Sequence, residues 1–497
     1  MDLFFSVLVD QISFVSVAYL IVGVFLGILG GALPGISPSM TISLILPMSL
    51  YFETNNALML LIGAYQGAMY GGSISAILIN TPGTASAAAT VLDGYIMAKN
   101  NQAGKALGMS LTASCTGGLV GSIILILSAN ALASLSLKFG PPEYFGIMLF
   151  TLVLIAGICS DDFWKGLTLI ALGLFFGTVG ADPIDGTERF TFEISDLYDG
   201  VQLLPLFIGI FALSELLTQA GKSAEELNKP AEVLSVDDNH LSLKEYLSQL
   251  KNVVISGIYG CFIGILPGLG GSTAAFVAYA DAKRRSKHPE KFGTGIIDGV
   301  AAPEAANNAV CGGALVPMLT LGIPGDVVTA ILMGAFIAHG IKPGPQLFTQ
   351  NIGEVYKIYI AIILSVVALY CIGKLLLKFF VKLIGVRKSY LLPFIFVLCV
   401  LGTYASRGNL FDPLMMVTFG AIGFILRAGS FQLTPVVIAF ILGMELESSF
   451  RQSLRVSDMD PSIFFTRPFS LFFLVATAIF TAVTVYNRKK KRKTDAA

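Results

Sequence analysis

A chain of 497 residues that is 55% hydrophobic and 13% charged, with mean hydropathy +0.77, is not a soluble globular protein, in which about a quarter of the residues would carry charge. Its formal net charge of zero gives no electrostatic footprint for a nucleic-acid partner. Six cysteines without a CxxC pair and three scattered histidines offer neither a disulfide framework nor a metal cluster. Apolar runs near the spanning length of roughly 20 residues recur from end to end, so the expected class is an all-α polytopic membrane protein.

The first apolar stretch, 12–50, has no charge between Asp10 and Glu53 and is interrupted by GALPGISPSMT at 31–41. Proline and glycine are poor material for a continuous helix. With no basic flank on either side, the stretch is expected to dip into the membrane and return as a re-entrant hairpin. No Lys or Arg precedes Lys99, whereas the chain ends in RKKKRK at 488–493. The positive-inside rule therefore places the N-terminus outside and the tail in the cytoplasm. The N-terminus lacks a basic leader, so a cleaved signal peptide is not expected.

From there the pattern predicts crossings over 57–98, 106–130, 141–159, 166–180 and 201–220. A polar inner linker, 221–252, follows, in which LSLKEYLSQLKN (241–252) has amphipathic spacing and is expected along the inner interface. A second hairpin is expected over 253–281, followed by the basic loop KRRSKHPEK (283–291). Six further crossings follow, over 295–338, 354–373, 390–404, 413–428, 432–446 and 468–487, making eleven.

The opening motif has a twin. GALPGISPSMT (31–41) aligns with GILPGLGGSTA (264–274), and YGGSISAILINTPGTASAA (70–88) aligns with CGGALVPMLTLGIPGDVVTA (311–330), in the same order. The pattern reads as a duplication with halves 1–220 and 253–497. Five crossings lie between the twin hairpins, so the halves would be inverted in the membrane. Interrupted segments at matching positions of inverted repeats mark the binding site of secondary transporters.

Four breaks result: Pro34-Gly35, Pro82-Gly83, Pro267-Gly268 and Pro324-Gly325. Helix N-termini at such breaks attract anions, and freed carbonyls and hydroxyls suit a hard cation. The small polar residues there are Ser37, Ser39, Thr41, Asn80, Thr81, Thr84, Ser272 and Thr273, with Gly270 and Gly271 allowing close backbone approach. Asp326 is the one ionisable group at a break; it can ligate a cation, carry a proton or cap the helix that follows. In APEAANNA (302–309), Glu304, Asn307 and Asn308 lie on an otherwise apolar segment, where they contact a ligand or pack helices by hydrogen bonds. Asp93 reads as a cap or interfacial residue.

These residues assembled, the chain resembles the large membrane subunit of the bacterial tripartite tricarboxylate transporters. The stretches that carry the resemblance are GALPGISP, YGGSISAILINTPGTASAAATVLDGY (70–95), ILPGLGGSTAAFVAYADAKRRSKHPEKFGTG (265–295), GVAAPEAANNAV (299–310), LTLGIPGD (319–326) and HGIKPGP (339–345). The resemblance implies an inner-membrane carrier in which a periplasmic binding protein delivers a carboxylate, a small membrane subunit joins this one, and a Na+ or H+ gradient drives uptake. Similarity to elevator-like carboxylate carriers implies a moving unit within a static frame. The sequence departs from the family pattern at Asp326, where Ser is usual.

A channel needs a continuous polar pore, which the apolar matter around the breaks opposes. An intramembrane enzyme needs a nucleophile and base or a metal cluster, and no Walker motif supports ATP-driven pumping. The alternative within transport is a stand-alone carboxylate/ion symporter or exporter that uses no binding protein.

Overall fold

The computed structural model describes residues 2–158, 162–182, 184–223, 233–236 and 239–495. Residues 224–232 of the expected linker lie outside the described residues. The chain is almost wholly helical. Helix α1 is Asp2–Gln11, α2 Phe14–Ala32, α3 Pro38–Ser49, α4 Thr54–Ile79, α5 Ala88–Met97 and α6 Ala103–Ser136. Helix α7 is Pro141–Ile158, α8 Phe163–Gly177 and α9 Leu203–Ala220, the last with a π-helical stretch at Ile208–Leu213. The second half holds α10 Leu243–Ile265, α11 Gly270–Arg285, α12 Asp298–Leu321, α13 Val327–Ala338 and α14 Ile352–Leu375. It closes with α15 Leu377–Ile384, α16 Lys388–Arg407, α17 Phe411–Ala428, α18 Thr434–Val456 and α19 Pro468–Asp495. Among the described residues, eight helices are long and apolar enough to cross a membrane.

Helices α2 and α4 run in the same direction. Ser16 Oγ donates to Asn56 Oδ1 at one end, Gly23 abuts Leu60, and Gly31 abuts Ala68 at the other. Gly23, Gly27 and Gly31 interlock with Gly63, Gly67 and Gly71, two stripes of four-residue spacing. A Cβ on Gly27 would lie 2.3 Å from the Ala64 carbonyl oxygen, and one on Gly67 2.4 Å from that of Val24. In lipid, where apolar side chains gain little by leaving the solvent, such close backbone approach is a main source of helix association. Between these parallel helices the chain must come back, and α3 does so: Thr41 fills the notch at Gly30, and Phe52 meets Tyr19 with ring centroids 4.7 Å apart.

The second half repeats the arrangement. Helices α10 and α12 are parallel, with Gln249 bonded to Asp298, Gly260 against Ala306 and Gly264 against Ala314. Helix α11 returns, and Arg285 at its end donates to Asn252 in the first half of α10. Helix α6 also runs parallel to α12, with Gly117 on Ala305 and Gly121 on Ala309. Helices α4 and α12 cross in opposite directions: Ser73 bonds Glu304, Met69 bonds Asn307 and Gln66 bonds Asn308.

Several boundaries differ from the sequence expectation. Helix α4 has 26 residues, about 39 Å at 1.5 Å per residue, so it can span about 30 Å of hydrocarbon alone. Helix α5 does not prolong it. Asn80 adopts the left-handed conformation at φ 56°, the chain turns back, and Gly83 N–H reaches Gly72 O at 3.2 Å. Helix α5 then descends beside the last turns of α4, with Gly94 against Ile77. In the second half Gly322, at φ +71°, caps α12 in the same way. The segment 241–252 is not a separate interfacial helix but opens α10, because a Ser242–Glu245 capping box starts the helix there and Tyr246 Oη bonds Thr116 of α6 at 2.5 Å. Helix α18 outruns the expected 432–446 because Arg189 and Arg451 both pair with Glu447, which ties its polar end to the loop 180–189.

Helices α4 and α12 are buried from end to end, yet neither is apolar enough to count among the eight. Protein rather than lipid surrounds them, so small and polar residues are tolerated at depth. The remaining helices form groups around this centre. Helices α7, α8, α18 and α19 pack together, as do α9, α16 and α17.

The glycine seam is testable by thermal unfolding of the detergent-purified protein. Gly27→Val and Gly67→Val should each lower the melting temperature, since overpacking costs about 1–3 kcal/mol. Gly353→Ala, where nothing lies within 4 Å, should leave it unchanged.

Candidate functional site

Helix breaks cluster around the crossing of α4 and α12. The start of α11 is the meeting point. A Cβ on Gly271 would lie 2.5 Å from Asn307 Oδ1, 2.6 Å from Met69 Cε and 3.3 Å from Ser86 Cβ, and one on Gly270 would lie 3.7 Å from Asp326 Cβ. The tip of the second hairpin thus touches the first-half break through Ser86 and the second-half break through Asp326. Pro267-Gly268 forms the turn that makes this possible: Gly268 is at φ +89° and its N–H bonds Gly325 O at 2.8 Å. Ser272 and Thr273 lie in the same first turn, half-buried. That turn leaves backbone N–H groups without intrahelical partners, and the helix dipole adds partial positive charge there.

Asn307 is 1% exposed, and its orientation is fixed because Nδ2 donates to Met69 O at 2.7 Å. Its Oδ1 has no partner and faces Gly271. Asn308 is fully buried; its Nδ2 donates to Gln66 Oε1 at 3.1 Å and its Oδ1 is also unpaired. Buried polar acceptors are costly unless something donates to them or coordinates to them. Asp326 accepts from Thr329 N–H at 2.7 Å as an N-cap and from Tyr65 Oη at 3.0 Å. Capping therefore occupies Oδ1, and Tyr65 holds Oδ2.

The other sequence-derived candidates fall into two places. At the first hairpin tip Ser37 caps α3, accepting from Met40 N–H, with Ser39 Oγ 2.9 Å away and Thr41 Oγ1 donating to Ser37 O. Helix α3 packs on α13, the helix that Asp326 caps. Pro34-Gly35 is held from outside the hairpin, because Gln219 Nε2 of α9 donates to Gly35 O at 2.7 Å. Gln219 also donates to Glu215, which pairs with Arg427 of α17. In the first-half break, Gly83 sits against Gly31 O, while Thr84 caps the turn Ala85–Ala87 and lies 3.0 Å from Ser86 Oγ. Pro82 is half-buried. Asn80 and Thr81 are exposed: Asn80 supplies the left-handed turn, and Thr81 Oγ1 bonds Ile79 O. Neither is brought to the Asn307 cluster. Pro324-Gly325 is buried, with Gly325 pressed on Gly264 O and Ala314.

Glu304 lies one turn before Asn307, on the same side of α12, and meets α4, α5 and α6. It is 1% exposed and accepts from Ser73 Oγ at 2.5 Å, from Thr90, and from Ser114 Oγ at 2.9 Å. Asp93 caps a neighbouring loop, accepting from the N–H groups of Gly293, Gly295 and Ile296 and from Tyr279 Oη. Sequence reasoning missed Tyr65, Met69, Ser73, Ser86, Thr90, Ser114 and Gln219. Of these, Ser86 stood nearest a residue already singled out, two positions beyond Thr84.

The groups gathered here are hydrogen-bonding groups suited to holding a ligand. Among the described residues no three His, Cys, Asp or Glu side chains group to hold a metal. Helix N–H groups and hydroxyls at α11 suit an anion, and the unpaired amide oxygens suit a donor or a cation beside it.

The model of the tripartite tricarboxylate transporter TctA family matches residues 17–438. An uncharacterised 52.8 kDa protein from the region 3′ of ttuC′ in TAR-I of Agrobacterium vitis is 38% identical over 455 residues, 91% of this chain and 90% of that protein. A second uncharacterised Agrobacterium vitis protein, from the corresponding region of TAR-II, is 35% identical over 209 residues, 42% of this chain and 86% of that protein. No solved structure matches.

Gly271→Ala would insert a methyl group between α11 and Asn307. It should reduce stabilisation of the purified protein by added tricarboxylate at least tenfold in the concentration required, with the same amount inserted in the membrane. Ser272→Ala and Thr273→Ala should act in the same direction, since a hydrogen bond to a charged ligand is worth about 1.5–3 kcal/mol.

Proposed function

The chain belongs to the tripartite tricarboxylate transporter TctA family, and from that premise we propose that it is the large membrane subunit of a secondary transporter that takes up tri- or dicarboxylates handed over by a periplasmic binding protein. A Na+ or H+ gradient drives the uptake, and a small membrane subunit completes the complex in the bacterial inner membrane. The N-terminus is periplasmic and the C-terminal tail cytoplasmic.

The observation that carries this reading is the meeting of Gly270, Gly271, Asn307, Ser86 and Asp326 at the start of α11, where α4 and α12 cross in opposite directions. A carboxylate held there accepts from backbone N–H groups and from the Ser272, Thr273 and Ser86 hydroxyls. No Lys or Arg occurs in any of the four breaks, so the ligand's negative charge is offset by helix dipoles and a co-bound cation.

The two halves act as inverted-topology repeats. Parallel pairs α2–α4 and α10–α12, each with a returning helix, support this, as do the antiparallel contacts between α4 and α12. Hairpins and crossing helices form a unit that moves as an elevator against a frame of α7–α9 and α16–α19. An asymmetry of packing supports the motion. Helix α3 is covered by α9 and α16, whereas on α11 Phe276 is 46% exposed and Val277 41%. Exchanging these environments between the hairpins converts a state open to one side into a state open to the other.

The test is uptake into proteoliposomes holding both membrane subunits, under imposed Na+ or H+ gradients. Tricarboxylate should accumulate only when the binding protein is present, and without ATP. Full uptake without binding protein would instead favour a stand-alone symporter, and an ATP requirement would contradict gradient-driven transport.

A further inference from the structure

We propose that Glu304 is the proton-binding residue of the transport cycle, a proposal that rests on the carrier reading above and narrows its coupling ion to H+. Glu304 lies on the second turn of α12, buried at the contact of three first-half helices. Oε1 accepts from Ser73 of α4 and Thr90 of α5, and Oε2 accepts from Ser114 of α6. None of the ion pairs among the described residues includes it. Three neutral donors offset only part of the cost of an ionised carboxylate at membrane depth, and without a basic partner the remaining compensation is a proton.

The donor set fits a proton. Each hydroxyl touches a carboxylate oxygen directly, so the side chain keeps its partners whether or not it carries a proton. A hydroxyl both donates and accepts. When Glu304 carries the proton, one hydroxyl rotates to accept it and returns its own hydrogen to a carbonyl in the preceding turn of its helix. The proton arrives from water on one side of the membrane and leaves to water on the other, and no other bond changes.

The surrounding groups do not substitute for Glu304. On α4 the nearest titratable side chain is Tyr70, a buried phenol. On α5 Asp93 is saturated by three backbone N–H groups and Tyr279 Oη of α11. On α6 it is Cys115, beside Ser114, and on α12 itself Asp298, bonded to Gln249. Helix α10 meets the next turn of α12 with Gly260.

The position couples the proton to the anion. Glu304 lies one turn, about 4.5 Å along the axis, from Asn307. Thr90 lies on the helix whose preceding turn carries Ser86. A carboxylate ligand at α11 raises the proton affinity of Glu304, and protonation tightens the ligand by the same factor, because linkage is reciprocal.

The experiment measures protons moved per citrate, with an internal pH dye at clamped voltage, in proteoliposomes containing both membrane subunits and the binding protein. Wild type should move at least one proton per citrate; Glu304→Gln should lower the ratio by one, and Glu304→Asp should keep it while shifting the pH profile. The ratio does not depend on how fast each variant transports. Infrared difference spectra give a readout independent of transport: citrate should produce a protonated-carboxyl band in wild type that is absent in Glu304→Gln. An unchanged ratio, Na+ moving in place of H+, or a missing band overturns the proton site while leaving the carrier reading intact. The band without any citrate transport overturns the carrier reading and leaves the proton site standing.

Discussion

The seam between α2 and α4 is the contact on which the rest of the structure depends. Six glycines at four-residue spacing let two parallel helices approach until backbone touches backbone. Two parallel neighbours in sequence cannot be joined by a tight turn, so the chain between them must run back along them, and α3 does this after the turn at Pro34-Gly35. The counterpart seam of α10 on α12 does the same in the second half with Gly260 and Gly264. Once both seams form, the helix breaks are enclosed by protein rather than lipid, which lets irregular backbone and polar side chains persist there.

Function follows from how these tips are used. Gly268 and Gly325 lock together, which aims the start of α11 at Asn307 and Ser86. Across the α4–α12 crossing Tyr65 holds Asp326 while Asn307 and Asn308 keep an acceptor free. The site thus pairs helix N–H groups and hydroxyls, which suit an anion, with free acceptors that suit a cation or donor beside it, and it holds no fixed positive charge. Gln219 ties the first hairpin tip to the Glu215–Arg427 pair of the outer helices, so any motion of that hairpin must break this bond.

Much of the fold was legible in the sequence. Pro-Gly pairs at 34–35 and 267–268 stand in otherwise apolar runs, and the bends fall there because proline and glycine remove helix options locally. Helix seams were legible in principle through the Gly spacing at 23, 27 and 31. What was not legible depends on contacts between distant segments. The return of the chain at Asn80 comes from a left-handed residue that looks like a ligand contact in sequence, yet it supplies a cap. The three hydroxyls on Glu304 come from positions 73, 90 and 114, and no local pattern connects them. Segment 241–252 had the spacing of an interfacial helix, yet it opens α10, with Tyr246 bonded to Thr116 of α6 while Leu243 and Leu247 stay exposed.

The anion site proposed where the α11 start meets the first-half break is open to direct test. Single cysteines at Ser86 and Ser272, in a protein lacking its native cysteines, test it through reaction with a small thiol reagent. Added tricarboxylate should protect both positions over the same concentration range while leaving a cysteine at the exposed Lys287 of the basic loop reactive. Unaltered labelling at 86 and 272 in saturating tricarboxylate would contradict the account.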